Sequence, residues 1–151
     1  MLKKTYPDRT YFDCGLWSSK KNLYLTKSAA SSPIYEPNYS KNIKYKDYYH
    51  DPRVLVKKTN IFVDKGDNLI RISPDFIKID TQSSEIEILN GSLKILKNNC
   101  PLISLETWTR DVYKGSPTFD KIIPFLTDLG YEILDMELCA AEKHKTNKNV
   151  I

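Results

Sequence analysis

The clearest periodic signal in the chain lies between Ser84 and Asn98. Ile86, Leu89, Leu93 and Leu96 recur there at spacings of three, four and three, placing one apolar stripe on a helix. Ser84 followed three residues later by Glu87 has the form of a capping box, in which hydroxyl and carboxylate each satisfy an unpaired backbone amide. Gly91 lies inside this helix at a cost of roughly 1 kcal/mol relative to Ala, so a close packing contact is expected at that position. A second amphipathic helix is predicted from about Ser116. Ser116 is its N-cap, Pro117 its first helical residue and Gly130 its C-terminal cap, with Phe119, Ile122, Ile123, Leu126 and Leu129 facing the core. Pro124 inside it should kink the helix or shift its start.

Between these helices the pattern changes to short apolar runs. Phe76-Ile77-Lys78-Ile79-Asp80 reads as a buried parallel strand whose acidic end reaches a site. Pro101 opens a similar strand, Leu102 to Leu105, which ends on Glu106, so two neighbouring strands each deliver an acid to one edge. Tyr131 to Leu134 and Leu138 to Ala141 are predicted as closing strands. From Phe76 onward the order is strand, helix, strand, helix, strand. This is the βαβ succession of an α/β fold, with helices covering a largely parallel sheet.

The first half is less regular. Tyr11 to Trp17 and Leu23 to Thr26 flank the polar Ser18-Ser19-Lys20-Lys21 and predict a hairpin. Ser28 to Pro52 shows no period and is either a substrate-contacting loop or a poorly ordered linker. Val54 to Val56 and Asn60 to Val63 read as strand material. A turn follows over Asp64 to Asn68, then a short helical or irregular piece over Leu69 to Ser73.

Composition adds boundaries. The 151 residues, 40% hydrophobic and 28% charged, suit one globular domain, taken as 1–144 with a flexible tail over 145–151. The +4 net charge is spread along the chain, and Lys41, Lys44, Lys46, Lys57 and Lys58 among tyrosines read as a solvated loop, so no nucleic-acid partner is expected. No apolar run is long enough to span a membrane, and a soluble cytoplasmic protein is the default. Cys14, Cys100 and Cys139 are far apart, with only His50 and His144 as nitrogen partners, so no metal site is expected.

In an open α/β sheet, ligands bind beyond the carboxyl ends of the strands, which makes the loop from Asp80 through Thr81, Gln82, Ser83 and Ser84 to Glu85 the best site candidate. Its amides and acids suit a polar substrate or a cationic group. The plainer alternative is that Ser84, Glu85 and Glu87 only cap the helix and complement its dipole.

The run DFIKIDTQSSEIEILNGSLKIL resembles the signature of FkbM methyltransferases, where a strand of the form FIKID leads through a loop of the form VEGAE or TQGAE into a helix containing LxGA. PLISLE, the stretch ending LGY and the upstream LYLTKSAASSPIYEPN are similar to the family in the same order, so the resemblance spans about Tyr11 to Ala141. It implies a Rossmann-like sheet and transfer of the methyl group of S-adenosylmethionine, with a sugar, polyketide or other small metabolite methylated on oxygen. Carried over by position, Asp80 matches the acid bordering the cofactor and acceptor pocket, Glu85 the acid of the signature loop and Lys78 the strand lysine. Asp80, Glu85 and Lys78 are thus the implied catalytic group, with Asp13, Cys14 and Asp80 toward the cofactor. Ser32, Glu36, Gln82 and Glu106 face the acceptor.

Two departures stand out. Ser83 and Ser84 occupy the places of a glycine and a small residue, which makes any positive φ there costlier. Only five glycines occur, none in a glycine-rich cluster, so the Rossmann-like sheet is expected to be incomplete on its amino-terminal side. Apolar faces on Tyr11 to Trp17 and Phe76 to Asp80 would then be exposed. Such a truncated chain would work with a separate amino-terminal half or as a homo-oligomer. The alternative is a non-catalytic remnant or binding partner.

Overall fold

The computed structural model describes residues 7–12, 14–17, 21–26, 34–36, 38, 55–110 and 112–137. Their elements run Gly15–Leu16 (β1), Lys21–Thr26 (β2), Leu55–Ile61 (β3), Val63–Asp64 (β4), Gly66–Leu69 (α1) and Phe76–Ile79 (β5). Glu85–Asn90 (α2), Leu93–Asn99 (α3), Leu102–Leu105 (β6) and Phe119–Asp128 (α4) follow. The fold is mixed α/β with short sheets: β1 pairs with β4 and β5 with β6 in parallel, and β2 pairs antiparallel with β3.

The expected hairpin between the first two runs does not form. β1 turns instead to β4, where Gly15 N donates to Phe62 O at 3.0 Å and Trp17 N to Asp64 O at 2.7 Å. Gly15 permits this closeness, since a Cβ there would stand 3.0 Å from Val63 Cγ1. β2 finds its partner across the irregular stretch, with Lys21 opposite Ile61 and a register shift between Leu25 and Thr26. The predicted turn over Asp64 to Asn68 is partly helical, as α1.

β5 and β6 form as predicted, with Phe76 opposite Leu102 and Ile79 opposite Leu105. Only one face is covered. Ile77, Ile79, Ile103 and Leu105 point into a core with Ile88, Leu89, Leu96 and Ile122, while Phe76, Lys78, Leu102 and Ser104 are exposed. Among the described residues the helices thus cover one face of this pair, and the alternation of a strand puts every second side chain on the open face.

The single helix expected over Ser84 to Asn98 is two, broken at Gly91-Ser92. The break is a packing site. Asp67 N donates to Gly91 O at 3.0 Å, and a Cβ on Gly66 would lie 2.2 Å from Ser92 Oγ, so α1 sits directly on the interruption. Asp67 also supplies the cap that α3 lacks locally, accepting from Lys94 N at 3.1 Å and Ile95 N at 3.2 Å.

α4 begins at Phe119 with Thr118 as N-cap, two residues later than expected, because the Ser116 hydroxyl is already donated to Tyr113 O at 2.9 Å. Pro124 is accommodated on its exposed side. The C-terminal end follows the expected form: Gly130 has φ +88, its N–H reaches Thr127 O at 2.9 Å and Tyr131 N reaches Leu126 O at 3.0 Å. Tyr131 to Leu134 is not a strand. The Tyr131 hydroxyl is tied to Leu96 O at 3.1 Å, after which Ile133, Leu134 and Met136 are exposed with no ladder partner among the described residues. Leu138 to Ala141 lies outside the described residues, and no described helix is long and apolar enough to cross a membrane.

Replacing Asp67 by Ala removes two capping bonds and should destabilise the protein by about 1–2 kcal/mol in denaturant unfolding, whereas Asp67→Asn should lose less than half of that.

Candidate functional site

Alternation along β5 and β6 carries the open face to its carboxyl end. Counting in twos from Phe76 and Leu102 passes Lys78 and Ser104 and arrives at Asp80 and Glu106, so both acids lie on the uncovered side. The strand ends are joined by the Glu106 N–H, which donates to Ile79 O at 3.1 Å. Partial burial, a hydrogen bond shared with Asp80 and the Asp80 charge push the Glu106 carboxyl above its usual range, and Lys78 opposes this weakly. Lys78 Nζ stands 3.7 Å from Asp80 Oδ2, with both groups well exposed, so the pair orients charge more than it stabilises.

The loop beyond Asp80 is unusual. Gln82 has φ +57 and Ser83 φ +79, two consecutive non-glycine residues in the left-handed region. Ser83 is the position where a glycine would remove the strain. Glu85 holds the loop in this shape. Only 1% exposed, it accepts from Thr81 N at 3.3 Å, Thr81 Oγ1 at 3.2 Å and Ser83 N at 3.2 Å, all on Oε1. Its Oε2 and the buried hydroxyls of Ser83 and Ser84 have no partner among the described residues. Burial raises the Glu85 carboxyl above its ordinary value despite the bonds that lower it.

One sequence expectation changes here. Ser84 is at the N-cap position but makes no side-chain cap bond, so the capping box with Glu87 is absent; Glu87 Oε1 instead accepts the hydroxyl of Tyr35. Glu85, expected among the catalytic residues, is buried with its Oε1 engaged by the loop it binds.

Sequence reading missed two tyrosines that reach this loop from distant segments. Tyr113, fully buried, donates its hydroxyl to Gln82 Oε1 at 2.7 Å. Tyr35 donates to Glu87 and packs edge-on against Trp17 with ring centroids 5.8 Å apart. Burial, its hydrogen bond to Glu87 and the charges of Glu87 and Glu85 raise the Tyr35 phenol well above its ordinary value, so its O–H stays in place as the donor to Glu87. The segments carrying them are laced together by Asn38 N to Val112 O at 2.9 Å and Lys114 N to Glu36 O at 2.8 Å. A Lys114–Glu36 ion pair at 2.7 Å adds to this. No periodicity marks these residues. The only local hint is the turn at Gly115, whose φ is +68.

Of the residues singled out from sequence, Lys78, Asp80 and Glu106 come together on the rim, and Gln82 and Glu85 lie in the adjoining loop. Glu36 is engaged with Lys114. Cys14 lines a separate open hollow with Phe12, Gly15, Ile61 and Phe62, and no described hydrogen bond or ion pair joins it to Asp80. Asp13, Ser32 and most of the Ser28 to Pro52 stretch lie outside the described residues. Beneath the loop, an apolar cavity of about 90 Å³ bounded by Leu16, Ile70, Ile77 and Leu89 is a packing gap too small for a metabolite. No cluster of metal-ligating side chains occurs among the described residues.

Ser83→Gly should stabilise the protein by about 1 kcal/mol, relieving a left-handed serine and removing a buried unpaired hydroxyl. Glu85→Ala should cost about 2–4 kcal/mol, because two loop amides lose their acceptor. Because the folded pKa of Glu85 lies above its unfolded value, its charged form weakens the fold as pH rises through that raised value. The stability of the natural chain relative to Glu85→Gln should therefore fall as pH rises above the ordinary glutamate range, read from paired denaturant curves.

A family model for the methyltransferase FkbM domain matches residues 14–133. No curated protein and no solved structure matches the chain. The matched span contains β5, its acid-tipped end, the Glu85-held loop and the helices behind it, and on that extent the chain belongs to the methyltransferase FkbM domain family.

Proposed function

We propose that the protein transfers the methyl group of S-adenosylmethionine to an oxygen of a sugar or other small metabolite, at the rim where β5 and β6 end. The observation that carries this reading is the Asp80–Glu106 pair, two carboxylates on one open face at the carboxyl ends of adjacent parallel strands. The charge of the rim suits the donor. Asp80 and Glu106, with Glu85 behind them and Lys78 as counterion, favour a sulfonium cation over an anion.

When bound, S-adenosylmethionine supplies a methyl group activated by its positive sulfur. The chain's part is alignment and proton handling. Asp80, exposed at the carboxyl end of β5, is the proposed acceptor of the hydroxyl proton. Glu106, on the same open face, is proposed to fix the acceptor's orientation, and Lys78 to screen the charge that develops. Asp13 and Cys14 are the proposed adenine contacts, supported by the apolar surround of Phe12 and Phe62 beside Cys14. Gln82, Glu36 and Ser32 are proposed on the acceptor side.

We also propose that a Rossmann-like sheet is completed by strands from a separate amino-terminal half or a second copy. The exposed Phe76 and Leu102 support this, as does the lack of any further strand on the outer edges of β5 and β6 among the described residues. A cytoplasmic location is part of the same proposal.

Titration calorimetry should give one-to-one binding of S-adenosylmethionine, and tritium from its methyl group should pass to a metabolite extract of the native cells. Asp80→Asn should lower that transfer by about 10²–10⁴-fold with little change in unfolding midpoint. A chain that neither binds nor transfers, alone or with added partner, would favour a non-catalytic remnant or binding partner.

A further inference from the structure

We propose that Tyr113 is a positioning residue of the methyl-transfer rim, fixing the Gln82 side-chain amide so that its N–H donors meet the oxygen of the acceptor. This deepens the methyltransferase reading and rests on it.

Gln82 lies two residues beyond Asp80, in a loop already fixed by Glu85. Its Oε1 is taken by the Tyr113 hydroxyl at 2.7 Å, while its Nε2 has no partner among the described residues and is not sealed from solvent. An amide with its oxygen held can present its nitrogen in only one direction, whereas an unheld glutamine would have to lose rotamer freedom on binding.

Tyr113 is well placed to do the holding. Its ring is fully buried, and its backbone is fixed on both sides by Asn38 N to Val112 O at 2.9 Å and Lys114 N to Glu36 O at 2.8 Å. Its own carbonyl accepts from both Ser116 N at 3.2 Å and Ser116 Oγ at 2.9 Å.

The chemistry follows from what an N–H can bind. It needs a lone pair, so it serves a hydroxyl oxygen that gives its proton to Asp80, but gains nothing from a protonated amine, which has no lone pair to offer. Held in this way, Gln82 favours a hydroxyl oxygen over a protonated amine, and Tyr113 imposes that preference through it.

Gln82 is the only glutamine in the chain, so selective side-chain ¹⁵N labelling gives a single NH₂ signal. In the natural chain that signal should be motionally restricted and displaced from free glutamine. Tyr113→Phe should return it toward free glutamine while the rest of the spectrum stays folded. In the tritium assay, Tyr113→Phe should raise the half-saturating amount of extract about tenfold with a smaller change in the maximal rate. Gln82→Met removes the same bond from the loop side and guards against a folding defect in Tyr113→Phe. It should show the same rise, and adding Tyr113→Phe to it should have no further effect.

A free-glutamine signal in the natural chain would overturn the proposal. So would an unchanged signal in Tyr113→Phe, or equal concentration dependence in the two proteins. A locked signal in a natural chain that transfers no methyl group would sink the methyltransferase reading and leave the hold of Tyr113 on Gln82 standing.

Discussion

The site depends on one buried carboxylate. Glu85 is the first residue of α2, and its Oε1 gathers the amides of Thr81 and Ser83 together with the Thr81 hydroxyl, which bends the chain back on itself immediately after Asp80. Two consecutive left-handed residues cost about 2–4 kcal/mol, whereas charge-assisted hydrogen bonds contribute about 1.5–3 kcal/mol each, so the bonds outweigh the strain. The cost that remains is electrostatic, because burial disfavours the charged form of this carboxyl. A serine where a glycine would sit more easily adds to that cost.

Around this loop the molecule is fastened by contacts between residues far apart in sequence. Asp67 caps α3 through Lys94, 27 positions later, Tyr113 reaches Gln82 and Tyr35 reaches Glu87. The short sheets could not hold such a loop by their own ladders. The β5–β6 pair has four residues a side, and it is the helices packed on Ile77, Ile79, Ile103 and Leu105 that keep its ends in place.

What the sequence made legible was what repeats. The 3.6-residue stripe located α2, α3 and α4, and the apolar runs ending in acids located β5, β6 and the meeting of Asp80 with Glu106. The rest depended on information that no local pattern contains. The partner of β2 lies across an irregular stretch, so Ser18 to Lys21 suggested a hairpin that tertiary pairing overrode. Ser84 had the right spacing for a cap, yet its hydroxyl makes no cap bond at the start of α2, and the separate start of α3 is capped by Asp67, a packed neighbour that satisfies end amides as well as a local hydroxyl can. Residue type alone showed that Glu85 was an acid in a candidate loop, but burial decides whether an acid exchanges protons with a ligand or holds the backbone. Tyr113 and Tyr35 were invisible, since a lone aromatic in an irregular segment has no period to betray its contact.

The open face of β5 and β6 carries a consequence for how the rim tolerates change. Asp80 and Glu106 share a side only because each stands an even number of steps from the facing pair Phe76 and Leu102. Deleting or inserting one residue in either strand would reverse that parity and drive its terminal carboxylate under the helices, beside Ile79 or Leu105, with no counterion to meet it. Insertions in this domain should therefore be borne by the turns, while the two four-residue strands keep their length.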